Sequence, residues 1–401
     1  MSSKRDLSGA IFNTELNDFC RKYFIKGPIN PTHDEVISFP EKYNDLKSSL
    51  FESLILNKEV NFKVEGENIP LCIMLNEIGL RGVEELIDEE AISFTLWSPM
   101  VLYTVKNLDG ITPLCSGRHD SGPYIDPEES INTGLSFMIN QPKKGEARLL
   151  TKKLRDYYIP VRKGIEHDCV SITMSALESG KLEGLGFNIK DKNKYQLNEQ
   201  EKKKLTNCAA DLLSYKYLIE MHASTSSTSN IKFLLEDSIA KTNMMSKEEI
   251  YSTIVRLENF PDIKTTFKEM GYPMDELIKL RKSKSSKKFR KWLSEIDQTK
   301  KPLEIQKYYM DSIFSSKGFF DTFLGKTTKK ISMMMLGTYV GSLVDANIGP
   351  YIGAAGSQIA DKATDYMLDM ADEYLFSELT KGWTPKVFID DMKTLKFKYS
   401  I

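Results

Sequence analysis

Residues 331–360 are the stretch that most limits what this 401-residue chain can fold into. Across these thirty residues Asp345 is the only charge, and Gly337, Gly341, Gly349, Gly353 and Gly356 recur at close spacing. So apolar a run has to be covered by the rest of the fold, by a partner or by lipid. Asn347-Ile348-Gly349 supplies turn chemistry, and Pro350 suits the first turn of a helix, where the N–H it lacks would go unpaired anyway. The pattern predicts a helical hairpin with arms over residues 331–346 and 350–376.

On the first arm, about 100° per residue places Met334, Gly337, Thr338, Gly341 and Asp345 on one side. Small residues spaced this way let a second backbone approach closely, so the five glycines are read as helix-packing positions. Lys326, Lys329 and Lys330, just ahead of the arm, are placed where lipid headgroups would sit. Length opposes a membrane span: the arm covers about 21–24 Å, against a hydrocarbon core of roughly 30 Å. The second arm gathers Ile352, Gly356, Ile359, Ala363, Tyr366, Met370 and Tyr374 on one side. Asp361, Asp365, Asp369 and Asp372 form a water-facing stripe opposite them. A glycine-packed hairpin within a soluble fold is therefore expected, with membrane insertion and an oligomer contact as alternatives.

Hydrophobic residues at 41% and charged residues at 28% place the chain among globular proteins. Lys plus Arg at 55 against Asp plus Glu at 56 leaves a formal charge of −1, so a polyanion would have to meet a local basic patch. Five widely spaced cysteines without a CxxC pair argue against a disulfide framework or a zinc ribbon. The first residues carry no apolar signal segment, and a cytoplasmic location is expected.

The expected fold is α+β and mostly helical. Residues 1–222 are read as an α/β domain with a helical second half, and 223–230 as a Ser/Thr-rich linker. Residues 231–300 form a small helical region ending in a basic amphipathic helix, and 301–401 a helical C-terminal domain built on the hairpin. Alternation predicts strands at 59–64, 91–97 and 100–105, with helices over 69–80 and 82–88 between them. Past Asp109-Gly110 a polar loop is expected, then helices over 126–139, 144–158, 169–179 and 197–221.

The strongest charge run holds Lys279, Arg281, Lys282, Lys284, Lys287, Lys288, Arg290 and Lys291, followed by an apolar face of Phe289, Trp292, Leu293 and Ile296. Such a surface can hold a phosphate backbone or anionic lipid, or it can be a solvated face anchored by its aromatic pair. Three histidines precede an aspartate, at His33-Asp34, His119-Asp120 and His167-Asp168. His119, His167, Asp168 and a downstream carboxylate such as Asp211 align on paper with a metal-dependent phosphohydrolase, although His-Asp is also a common surface dipeptide. The loop from Cys115 to Gly122 concentrates Arg118, His119 and Asp120 between glycines. It is the densest candidate catalytic cluster, weighed against a self-satisfied turn.

Gly325-Lys326-Thr327 ends like a phosphate-binding loop, but the position that needs the first glycine is Phe320. No GxSxG elbow, HExxH or dinucleotide glycine fingerprint occurs, and neither a cofactor nor a metal is expected. No histidine follows His222 and no cysteine follows Cys208. The last 179 residues therefore cannot by themselves supply a His-based triad, a cysteine nucleophile or a Cys/His zinc site. The leading reading is an interaction or effector protein that associates with a protein partner, or with itself, through its helical C-terminal half. The alternatives are a nucleic-acid-binding or phosphoester-cleaving enzyme that uses the basic run and carboxylates, and a toxin-like protein whose hairpin inserts into membranes.

Overall fold

The computed structural model describes residues 7, 10–25, 30–104, 106, 111–183, 187, 196–221, 224–225, 263–296, 304–305, 308–309, 312 and 385–399. The described residues are mostly helical, with a small parallel sheet in the N-terminal half. The chain divides into two compact units. The first joins 1–246 to 272–282, and the second joins 247–271 to 283–401.

The first unit is built on a five-stranded parallel sheet in the order β6-β3-β2-β1-β7. Its strands are β1 (Ile11–Asn13), β2 (Val60–Val64), β3 (Ile92–Leu96), β6 (Tyr158–Pro160) and β7 (Ser224–Thr225). The helices between β1 and β3 are α1 (Glu15–Tyr23), α2 (His33–Ile37), α3 (Phe39–Leu56) and α4 (Ile69–Asp88). After β3 come β4 (Pro99–Tyr103) and β5 (Leu114–Arg118), an antiparallel pair in a sheet of their own. Next come α5 (Gly122–Ile125), α6 (Pro127–Ser136) and α7 (Lys144–Leu154) before β6, then α8 (Ile165–Glu178) and α9 (Glu199–Met221) before β7.

From β1 through β2 and β3 to β6 the chain steps across the sheet in one direction, and from β6 it returns past β1 to β7. Right-handed crossovers put the outgoing helices on one face and the returning pair, α8 and α9, on the other. Packing agrees. Helix α4 touches α1, α6, α7, β2 and β3, whereas Phe12 of β1 and Trp97 share a buried cluster with α8 and α9. Strand alternation sorts the side chains accordingly. Phe62 and Phe94 lie side by side with ring centroids 6.0 Å apart, and Tyr158 stacks on Phe94 at 5.2 Å. The other face carries Asn61, Ser93 and Thr95, all fully buried. Asn61 donates to Ser93 Oγ at 2.8 Å, Thr95 donates to Asn61, and Thr95 shares a 2.6 Å hydrogen bond with the Tyr217 hydroxyl of α9.

The strands expected at 59–64 and 91–97 are β2 and β3. The third, expected at 100–105, is β4, and it pairs with β5 rather than with the sheet. Residues 114–118, read from sequence as polar loop, form that partner strand. Leu-Cys-Ser-Gly-Arg is poor in β-branched residues, so only cross-strand pairing makes it a strand. The two helices expected over 69–80 and 82–88 are the two halves of α4, which break at Gly79 (φ 71°, ψ 171°), a backbone conformation that favours glycine. A second glycine acts by closeness. A Cβ on Gly134 would lie 2.6 Å from the Asn68 carbonyl oxygen, which is how α6 packs directly onto the turn entering α4.

The first unit also includes α11 (Glu276–Lys282), which contacts α3 and α4. The second unit shows α10 (Ile263–Glu269), α12 (Lys284–Glu295) and α13 (Lys386–Tyr399). Phe289 of α12 stacks on Phe388 of α13 at 4.4 Å, and Trp292 meets Tyr308 at 5.8 Å while donating to Ser312 Oγ at 3.1 Å. The hairpin expected over 331–376, with all five of its glycines, lies outside the described residues. No described helix is long and apolar enough to cross a membrane.

Candidate functional site

A cavity of about 760 Å³ opens at the carboxyl edge of the parallel sheet, within the first unit. The edge of an open α/β sheet, where connections leave to opposite faces, is where such folds hold ligands. That condition is met beside β1, whose neighbours belong to the outgoing and returning halves of the topology. Volumes of roughly 300–1,000 Å³ suit small organic molecules.

Each bounding element contributes a short, regularly spaced set of side chains. Phe12 and Thr14 come from the end of β1, and Asp18, Arg21 and Lys22 from one stripe of α1 at spacings of three and four. Lys63 and Glu65 stand at the end of β2, and Trp97, Pro99 and Met100 at the β3–β4 corner. The opposite wall is α9, through Asn207, Ala210, Asp211, Ser214 and Leu218, again at helical spacing. His119 and Tyr124 line the mouth, their rings stacked with centroids 4.2 Å apart. Aromatic packing braces the deep end. Phe12 lies 6.0 Å from Trp97 and 5.2 Å from Tyr217, and Trp97 meets Tyr217 edge-on at 5.5 Å.

The polar side of the cavity is a connected network. Arg21 Nη1 donates to the Glu65 carbonyl and lies 3.2 Å from the Glu67 carboxylate, and Nη2 reaches the Tyr124 hydroxyl at 3.5 Å. Lys63 Nζ lies 2.5 Å from Glu65 and 3.9 Å from Asp18, and 5.1 Å above the Trp97 ring. Buried Asn17 ties the two sides together: its carbonyl accepts from the Glu65 backbone N–H at 3.2 Å, and its amide donates to Asp18 Oδ1 at 3.2 Å. The two carboxyls are driven in opposite directions. Enclosure by the cavity walls raises the Asp18 pKa, with Lys63 opposing, although the side chain keeps 60% of its surface open to water at the mouth. Burial pushes Glu65 the same way, but Lys63 and Arg21 outweigh it and hold Glu65 below the ordinary carboxylate range. A carboxyl with a raised pKa beside one firmly ionised is an arrangement suited to proton transfer.

The residues singled out from sequence are distributed unevenly around this cavity. His119 lines it and Asp120 is exposed next to it, but Arg118 is committed elsewhere. Its guanidinium pairs with Glu166 at 2.8 Å and donates to the carbonyls of Val161 and Arg162 and to Ser98 Oγ. His167 is exposed on α8. Asp168 accepts from Arg162 and Lys216, each at 2.8 Å, in a surface network that also includes Glu220. Asp211 does line the cavity with His119, yet among the described residues no group of three His, Cys, Asp or Glu side chains is placed to hold a metal ion. Asp18, Lys63 and Glu65 were not anticipated from sequence. The signal available for them was position: Lys63 and Glu65 lie at the end of β2 and Asp18 in the first turn of the helix that follows β1, a strand only three residues long.

The basic run belongs to two helices separated at Ser283, whose hydroxyl accepts from the Ser286 N–H to start α12. On α11, Lys279 pairs with Glu276, Lys282 with Glu85, and Arg281 is buried. On α12, Lys284, Lys287, Lys288 and Lys291 are exposed, Arg290 is half-buried against Ser286, and Phe289, Trp292 and Leu293 are buried. No family model, curated protein or solved structure compared with this chain matches it, so the cavity is interpreted on its own geometry.

Proposed function

We propose that the first unit binds a small polar molecule in the cleft at the carboxyl edge of its sheet, with Asp18 as the group that accepts or donates a proton there. One observation carries the reading: a cavity of about 760 Å³ stands at the topological switch beside β1 and combines an aromatic deep end with a side-chain network containing a carboxyl of raised pKa. Asn17 positions Asp18, and Lys63 limits how far its pKa can rise. A metabolite library screened by thermal shift and ligand-observed NMR against the wild type and Ala210→Trp tests this. Ala210 is exposed on the α9 wall, so the indole fills the cleft without entering the core. Ligands bound by the wild type and lost in Ala210→Trp support the proposal; a library without such a ligand counts against it.

A second reading concerns association through the second unit. It is favoured by α12, which buries its aromatic residues and turns Lys284, Lys287, Lys288 and Lys291 to solvent. That face suits an acidic protein surface or a nucleic-acid backbone.

A further inference from the structure

We infer that the cleft selects an unphosphorylated, ring-bearing polyol of the nucleoside class and excludes the corresponding phosphates. This rests on the cleft reading and goes beyond it, because the same cleft in another sheet would ordinarily favour phosphate.

Open parallel sheets bind phosphates at the N-terminus of the helix that follows a strand, where a glycine turn leaves backbone N–H groups aimed at the ligand. Gly164, which leads from β6 into α8, is such a turn but does not line the cavity, and neither of the two helix entrances beside the cavity, after β1 and after β2, is available. After β1 the turn is Asn13-Thr14-Glu15, without glycine, and Asn13 Oδ1 already accepts the Leu16 N–H at 3.1 Å. The first turn of α1 also carries Glu15 and Asp18, and a phosphate placed there would meet two like charges. After β2, Asn68 Oδ1 accepts the Leu71 N–H at 2.9 Å, and Tyr124 covers the turn, within 2.9 Å of where a Cβ on Gly66 would be.

The cations of the cavity are engaged as well. Arg21 is held by Glu65, Glu67 and Tyr124, Lys22 by Glu35 at 2.5 Å, and Lys63 by Glu65. Recruiting any of them to a phosphate would take one of its partners from a partly buried carboxylate. What the cleft presents instead is the accessible Asp18 carboxylate, an acceptor for hydroxyl or amino donors, and the stacked His119–Tyr124 pair against which a flat ring can lie. Hydroxyls at one end, a flat ring at the other and no phosphate describe a nucleoside.

Calorimetric titration of the full chain with adenosine, guanosine, cytidine and uridine, and with their 5′-monophosphates, tests the inference. At least one nucleoside is expected to bind, with its monophosphate tenfold or more weaker. Asp18→Asn should reduce nucleoside affinity about tenfold and narrow that gap, since it turns one of the two charged acceptor oxygens into an amide donor and removes the repelling charge. Should Asp18→Asn melt early, His119→Ala at the exposed mouth replaces it, with loss of nucleoside affinity as the expected result. A monophosphate that binds as tightly as its nucleoside, and is lost in Ala210→Trp, overturns the phosphate exclusion while the cleft reading stands. Absence of any nucleoside binding overturns the nucleoside class, and the library screen then decides the cleft reading separately. Nucleoside binding unchanged in Ala210→Trp overturns both.

Discussion

Arg281 shows how a residue counted toward a charge run can have an entirely internal role. Its side chain is 3% exposed. Its guanidinium donates to the carbonyls of Leu54, Asn57 and Lys58 and lies 3.3 Å from the Glu89 carboxylate. Leu54 lies in the last turn of α3, Asn57 is its C-cap and Lys58 follows, so the cation sits at the negative end of that helix. Arg281→Met should cost about 3–5 kcal/mol, because buried acceptors and a partly buried carboxylate lose their partner. A urea midpoint unchanged from wild type would refute that assignment. Asp168 is the contrasting case, held at the surface. Hydrogen bonds from Lys216 and Arg162 lower its pKa from an ordinary 3.8 to about 2. A depressed carboxylate contributes stability that is present above about pH 4 and lost as pH falls toward 2. Asp168→Asn is expected to cost about 0.2–1 kcal/mol at pH 7 and clearly less at pH 2, measured by chemical denaturation at both.

At the scale of elements, α9 both forms a wall of the cleft and is pinned to the sheet. The pin is the Tyr217 hydroxyl on Thr95, at the end of the buried chain through Asn61 and Ser93. Tyr217→Phe keeps the ring contacts with Phe12 and Trp97 and removes only that bond, so a loss of about 1 kcal/mol is expected. A loss above about 3 kcal/mol would mean that the polar chain collapses as a unit. Helix α12 divides its labour differently, with aromatic residues inward and lysines outward. Reversing Lys284, Lys287, Lys288 and Lys291 to Glu should leave the melting temperature nearly unchanged and abolish retention on heparin at low ionic strength. Wild-type protein that passes through such a column unretained would end the association reading for this face.

For the whole molecule, buried thiols contribute to the alkaline limit. Burial pushes Cys72 and Cys169 up to about 12 and Cys208 to about 11, from an ordinary 9. A folded-state pKa raised in this way contributes stability that is complete below about pH 9 and lost as pH rises toward 11–12. The melting temperature should therefore fall steadily above pH 9, and less steeply when Cys72 and Cys169 are replaced by Ala; a flat profile to pH 10.5 would contradict it. Local chemistry announced part of this architecture. Alternation in Val60-Asn61-Phe62-Lys63-Val64 and in Ile92-Ser93-Phe94-Thr95-Leu96 marks β2 and β3, and helix start signals lead to α6 and α9, because each pattern is complete within its own segment. Strands β1, β6 and β7 are two or three residues long, too short for any period to show, and exist as strands because neighbours complete their hydrogen bonds. The cleft follows the same division. His119 stood out in sequence as part of a polar cluster, yet it stacks on Tyr124 and lines a cavity with residues of α9, while adjacent Arg118 turns to Glu166. Sequence by itself determined which segments could bury a face and which residues could carry charge, since both depend on side-chain chemistry at fixed local spacing. Only the tertiary structure decided that Asp18, Lys63, Glu65 and Asp211 share one cavity, because strand order brings together chain segments that no local pattern connects.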